Sequence, residues 1–397
     1  MRSTRFALLA LTSPLAALAF PAAAQDVWDD PGGVETAFTA EGAIVLAPDA
    51  DETVLGLVRA GLSADYVLSN GAIIGAAGAL EAQYDNPARD GFAGVFPSAG
   101  GAGGEPGGAF SGLGRGLAPE DRDARISLET AYIYIDGGYG EARFGADDGV
   151  ATRFFEGGPA LLTQAGLVNP ALDPSGQILT RTDHDLTGPA LKLSYATPRI
   201  LGLRAGLSYT PEADRRGLDR DPARDFPGAA RPEIEDAFEV ALNISRRLPR
   251  SGVRLRAGAA YSQADTQLPA NPTLFGKVET WSAGGSAEFS KFRIGGSYLE
   301  SNNGVSGIPG DYTAWSLSGA VPFGKFEAVA ALAGAEDEFA RLSSDSWEIG
   351  LAWKPEDRWR LAAGWRNVDT EDLGSGAPAS PSGGSRNGIV IEITRSL

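Results

Sequence analysis

Hydrophobic and polar residues alternate with a period of two over much of the chain, most clearly toward its C-terminal end. Trp347, Ile349, Leu351 and Trp353 alternate with Glu348, Gly350, Ala352 and Lys354. After a polar turn at 355–358, Trp359, Leu361, Ala363 and Trp365 alternate with Arg360, Ala362, Gly364 and Arg366. A period of two sends each set to opposite faces of a β-strand. Trp at both ends of an apolar stripe carries more information. A soluble sandwich buries its large aromatics mid-face, whereas a membrane barrel places them at the two water–lipid interfaces around an apolar band.

The same pattern recurs upstream. Trp315, Leu317, Val321 and Phe323 share a face, as do Trp281, Ala283, Ala287 and Phe289. Phe238, Val240, Leu242 and Ile244 oppose Glu239, Asn243 and Arg247, and Leu255 and Tyr261 oppose Arg254 and Arg256. Short turns such as 249–252 and 323–325 interleave with longer polar stretches near 211–234, 265–276, 301–311, 334–343 and 371–386. This rhythm predicts an all-β fold, a transmembrane antiparallel β-barrel with short turns on one rim and long loops on the other. Strand centres are expected near 40, 58, 76, 130, 143, 193, 205, 241, 258, 284, 295, 317, 329, 350, 362 and 392, which makes about sixteen strands. Those near 40, 58 and 76 are rich in Ala and Gly and lack an aromatic frame.

The N-terminus adds a compartment. Arg2 and Arg5 precede an apolar stretch from Phe6 to Phe20, and Ala22, Ala23 and Ala24 form a small-residue cleavage site. Residues 1–24 read as a secretory signal peptide, leaving 25–397 as one barrel domain. The absence of Cys removes disulfide and thiolate chemistry. With 51 acidic and 34 basic residues, the net charge of -17 argues against a nucleic-acid partner. The Gly-rich run 100–116 lacks the Gly-Lys-Ser/Thr ending of a phosphate loop and reads as a flexible loop. His184 is the only histidine. With no triad or ligand pattern around it, it reads as a solvated loop residue, and neither an enzyme nor a cofactor is expected. The acidic loops carry no EF-hand pattern.

Two stretches resemble a known family. Ile126–Asp148, with Gly138 to Gly145 as a tight turn and following strand, resembles the fourth and fifth strands of general Gram-negative porins of the alphaproteobacterial type. Leu191–Tyr209, with Tyr195-Ala196-Thr197-Pro198, resembles the strand-turn-strand after that family's constriction loop. The resemblance implies an outer-membrane channel, set in lipid as a homotrimer, for passive diffusion of small hydrophilic solutes and ions. It also implies a third loop, about 146–188, folded into the pore. Loop carboxylates Asp147, Asp148, Glu156 and Asp173 would then face wall arginines Arg59, Arg125 and Arg143 across the constriction. The family's second outer loop, here about 85–122, latches onto a neighbouring subunit. Its terminal Phe, read by the barrel-assembly machinery, is replaced by Leu397. The acidic balance suggests a mild preference for cations, opposed by lumen-facing Arg204, Arg254, Arg256 and Arg293. A sugar- or anion-selective channel and a structural or adhesive barrel are the alternatives on the same scaffold.

Overall fold

Each of the sixteen expected segments forms a strand. The structure, a computed structural model, describes residues 33–50, 52–85, 106–113, 124–213, 215–220, 232–289, 292–373 and 386–397; the signal peptide lies outside them. The strands are β1 (Val34–Leu46), β2 (Val54–Val67), β3 (Ile73–Tyr84), β4 (Arg125–Gly137), β5 (Gly140–Ala146), β6 (Leu191–Ala196), β7 (Leu203–Glu212) and β8 (Glu233–Arg247). They continue as β9 (Arg254–Gln267), β10 (Lys277–Phe289), β11 (Phe292–Ser301), β12 (Tyr312–Phe323), β13 (Phe326–Asp337), β14 (Leu342–Trp353), β15 (Trp359–Asp372) and β16 (Arg386–Ser396).

Each strand pairs antiparallel with its neighbours in sequence, and β16 returns to pair with β1, Glu41 opposite Ser396 and Leu46 opposite Ile391. Closure leaves no sheet edge to be satisfied in lipid. Because the strand number is even, β1 begins and β16 ends on the same rim. That rim carries the short turns, such as 138–139 and 324–325. The opposite rim carries the long connections, including one at 47–53 that the hydrophobic pattern did not single out.

The faces follow the alternation. On β14, Trp347, Ile349, Leu351 and Trp353 are exposed on the outer surface, while Glu348 and Ala352 are buried inside. Aromatics form two outer girdles. Near the turn rim, Phe289 stacks on Phe292 with centroids 4.6 Å apart, and Phe326 on Trp353 at 6.2 Å. Nearer the loop rim, Trp281 meets Tyr298 at 5.1 Å, with Trp315 opposite Tyr298 on the next strand. The outer face of β1–β3 differs. Its cross-strand rows are Thr36–Ala64–Ala76, Phe38–Leu62–Gly78 and Ala40–Ala60–Leu80, in which small residues surround Phe38, Leu62 and Leu80 with little aromatic framing.

Apolar packing lies inside the barrel. One cluster joins Phe110, Leu179 and Leu186 to wall residues Val278, Leu299 and Tyr312. Another joins Leu161, Leu162 and Leu172 to Val45, Leu55, Leu57 and Val390. A plain water-filled cylinder would show neither; loops fill much of this lumen.

Candidate pore constriction

The segment 147–190, between β5 and β6, is the third outer loop, and it folds inward. It starts with a single helical turn, α1 (Val150–Arg153). It then runs round the inner wall on a row of glycines from neighbouring strands. A Cβ at Gly258 would collide with the carbonyl oxygen of Phe154, and one at Gly284 with that of Glu156. Gly206 lies under the Phe154 ring, and Gly350 and Gly364 under Leu161. Only glycine lets one backbone approach another this closely. Further along, Glu392 on β16 accepts the amides of Thr163, Gln164 and Ala165 at 2.7, 2.8 and 2.9 Å. Arg360 donates to the Leu161 carbonyl at 2.5 Å, and Arg366 to that of Ala165.

The loop then turns back. Tyr312 donates to the Leu179 carbonyl and accepts the Arg181 amide, both at 2.8 Å. Thr182 shares a hydrogen bond with Ser297, and Thr187 donates to Glu239 at 2.9 Å. The buried Lys192 ammonium holds the neck together by donating to the carbonyls of Asp147 and Gly188. The inward third loop implied by the resemblance is thus present, anchored along almost its whole length.

His184 is fully buried, which corrects its reading as a solvated residue. Its ring nitrogens pair with Ser282 and Ser262 at 2.9 and 2.6 Å, and burial pushes its pKa down to about 3. The imidazole is therefore a neutral peg between two wall serines.

The charged residues expected at the constriction separate into several settings. Arg59 projects inward from β2 and keeps a third of its side chain in solvent. It is surrounded by carboxylates of the wall itself: Glu41 on β1 at 3.6 Å, Glu81 on β3, and Glu129 on β4 at 2.5 Å. Arg143, on β5, binds Glu141 at 2.8 Å and Asp147 at 2.9 Å, and covers the Tyr132 ring at 4.6 Å. Glu141 also receives Arg153 from α1 and lies 3.9 Å from Arg204. Arg125 sits apart, at the loop-rim end of β4, paired in register with Gln83.

Among the loop acids, Asp147 pairs with Arg143, its neighbour four residues back on β5, and not with an arginine across the lumen. Asp148, at the loop neck, has its pKa pushed up to about 7, first by burial and then by the Asp185 carboxylate. Glu156 accepts from Asn243 at 3.0 Å and lines a cleft of about 550 Å³ with Arg254, Arg256 and Arg293 near the turn rim. Asp173 is fully buried. Its carboxylate accepts the amides of Ser175 and Ile178 at 3.0 and 2.9 Å and the Ser175 hydroxyl at 2.6 Å, which closes the loop's own turn.

Sequence reasoning missed the wall carboxylates Glu41, Glu81 and Glu129, and Arg153 in α1. The first two stand directly opposite Arg59 in the register of β1–β3. Glu129 is the extra residue of a bulge on β4, between Leu128 and Thr130, where the alternation slips by one, so neither parity nor register reveals it.

The sequence profile of the Gram-negative porin family matches residues 7–373. No curated protein matches the chain in sequence. Among solved structures, OmpF of Salmonella typhi, in a complex with daunomycin, is 12% identical with a TM-score of 0.58, the match covering 94% of this chain and 99% of that one. OmpT of Vibrio cholerae, in a trimer form, is 13% identical with a TM-score of 0.56, covering 93% and 100%. OprB of Pseudomonas putida is 10% identical with a TM-score of 0.57, covering 92% and 94%. At these identities the structural likeness is one of fold. The profile match over nearly the whole chain, on a closed barrel whose third loop folds into the lumen, carries the conclusion: this chain belongs to the Gram-negative porins and forms a channel in the outer membrane.

Proposed function

We propose that the chain is a general diffusion porin with a weak preference for cations, passing small hydrophilic solutes and ions through a polarised constriction. The observation that carries this is the setting of Arg59. Three wall carboxylates from three different strands flank one guanidinium, in a part of the lumen that stays in solvent. Charge at a narrow, low-dielectric wall acts on passing ions more strongly than charge on an open surface. The β1–β4 wall therefore supplies negative potential, where the family resemblance implied a positive one. Arg254, Arg256 and Arg293 on β9 and β11 oppose it from the other side, nearer the turn rim. Opposed walls leave the net preference small, and salt screens it further.

The barrel acts as a channel and not as an enzyme: its one histidine is sealed from solvent with both ring nitrogens occupied. The outer face of β1–β3, Ala- and Gly-rich around the exposed Phe38, Leu62 and Leu80, is the surface that packs against neighbouring copies in a homotrimer, since packing there needs no aromatic girdle. Insertion uses the barrel-assembly machinery, read through the apolar residues Ile389, Ile391 and Ile393 of β16.

The test is the reversal potential of single channels in a salt gradient. Glu81→Gln together with Glu129→Gln should move it toward anion preference, and Arg59→Gln should move it the opposite way. If both leave it unchanged in assembled barrels, the row on β1–β4 does not face the ion path.

A further inference from the structure

We propose that the second outer loop of this porin is an internal brace, which pins the third loop and so sets the size cut-off of the channel, with Phe110 as the positioning residue. Its described portion, 106–113, lies inside the mouth of the barrel. Phe110 is fully buried, its ring 5.8 Å from that of Tyr312 and edge-on to His184 at 6.3 Å. These are two of the residues that fix the returning leg of the third loop to the wall.

Four loops meet at this ring. Residues 108–113 close a tight turn, Gly112 donating to the Gly108 carbonyl at 2.9 Å and Gly108 to that of Leu113 at 3.1 Å. From the sixth loop, the Asn303 side chain accepts the Ser111 amide, and the Asn303 carbonyl accepts that of Ala109, each at 2.9 Å. The Asn303 side-chain amide in turn donates to Asp337 at 3.1 Å. From the fourth loop, Arg216 donates to the Ala109 carbonyl at 2.6 Å, and Arg220 to the carbonyls of Phe110 and Asp185. Arg220 thus ties the second loop directly to the third. Gly108 packs so closely on Asn303 that a Cβ there would collide with it.

Buried backbone carbonyls satisfied by guanidinium groups, around a fully buried aromatic ring, make a fixed structure. Residues 106–113, built this way, are committed to their own barrel. They also occupy the mouth above the third loop on the β8–β14 side, as the buried cluster of Phe110 with Ile234, Val278, Leu299 and Leu342 shows. At the level of the mouth, this leaves the open passage on the side of Arg59 and Arg143; the cleft lined by Arg254, Arg256 and Arg293 lies below, near the turn rim.

The experiment uses the full-length porin, purified as assembled from the outer membrane. Phe110→Ala and, separately, Asn303→Ala are compared with the parent for single-channel conductance and for the rate at which proteoliposomes admit sugars of increasing size. Both variants should raise conductance and admit larger sugars, while keeping the parent's oligomeric size on native gels. Assembled variants with the parent's conductance and size cut-off would overturn the proposal, as would dissociation of the oligomer with the cut-off unchanged. Should neither variant assemble, Phe110→Cys in this Cys-free chain gives a second reading on intact cells. A braced position should react with a bulky thiol reagent more than about ten-fold slower than Asn271→Cys on the exposed fifth loop, because it reacts only through local opening. Equal rates would place Phe110 outside the mouth and sink the idea.

Discussion

Asp148 shows how position on the loop decides what a carboxylate can do. Burial first, and Asp185 next, push its pKa up to about 7 from an ordinary value near 3.8. Between pH 8 and pH 6 the folded chain therefore takes up a proton that the unfolded chain does not bind until far lower pH. The folded state gains stability as pH falls through 7, and the loop neck loses negative charge over the same window. Cation preference should thus weaken between pH 8 and pH 5.5, read as a shift in reversal potential, and Asp148→Asn should shrink that shift. A shift of undiminished size in the variant would assign it to another buried loop carboxyl, such as Asp183, whose pKa burial also pushes up to about 7. Asp173 had the same standing in sequence, one acid among several in the loop. Its carboxylate is consumed by the amides of Ser175 and Ile178, a local contact that composition cannot reveal.

At the scale of elements, the strands were legible and the loop path was not. β14 and β15 announced both faces because Trp and branched residues mark the lipid side at every second position. The path of the third loop depends instead on glycines that are far apart in sequence and join in one row only when strands β7 to β15 stand side by side. In the sequence these positions look like general glycine richness. Gly284→Val should push the Glu156 carbonyl off the wall, at an overpacking cost of about 1 to 3 kcal/mol. Gly319→Val, where a Cβ meets only the Arg293 carbonyl at 3.7 Å, should be tolerated. The temperature at which the folded barrel loses its compact gel mobility would separate them, and equal melting of the two variants would mean that the loop does not rest on that row. His184 was misread for a related reason: its partners Ser262 and Ser282 lie on strands that no local pattern connects to it.

For the whole molecule, the membrane supplies the frame. Ile349, between Trp347 and Trp353 on the outer face, is 57% exposed, and that exposure is to lipid. Ile349→Arg should cost about 2 to 4 kcal/mol near the midplane and impair assembly, whereas Glu356→Arg, in the turn after β14, should leave heat-stable barrel yields unchanged. Orientation is equally exposed to test. An epitope at Asn271 should be labelled on intact cells, and one at Gly252 only after the outer membrane is permeabilised. The most direct measurement is the current through the purified wild-type protein in a planar bilayer under a potassium chloride gradient. Discrete conductance steps are expected, with a reversal potential displaced modestly to the cation side and moving toward zero as salt rises. Intact, inserted barrels that pass no current would contradict the diffusion channel, and a firm displacement to the anion side would contradict the acidic wall around Arg59.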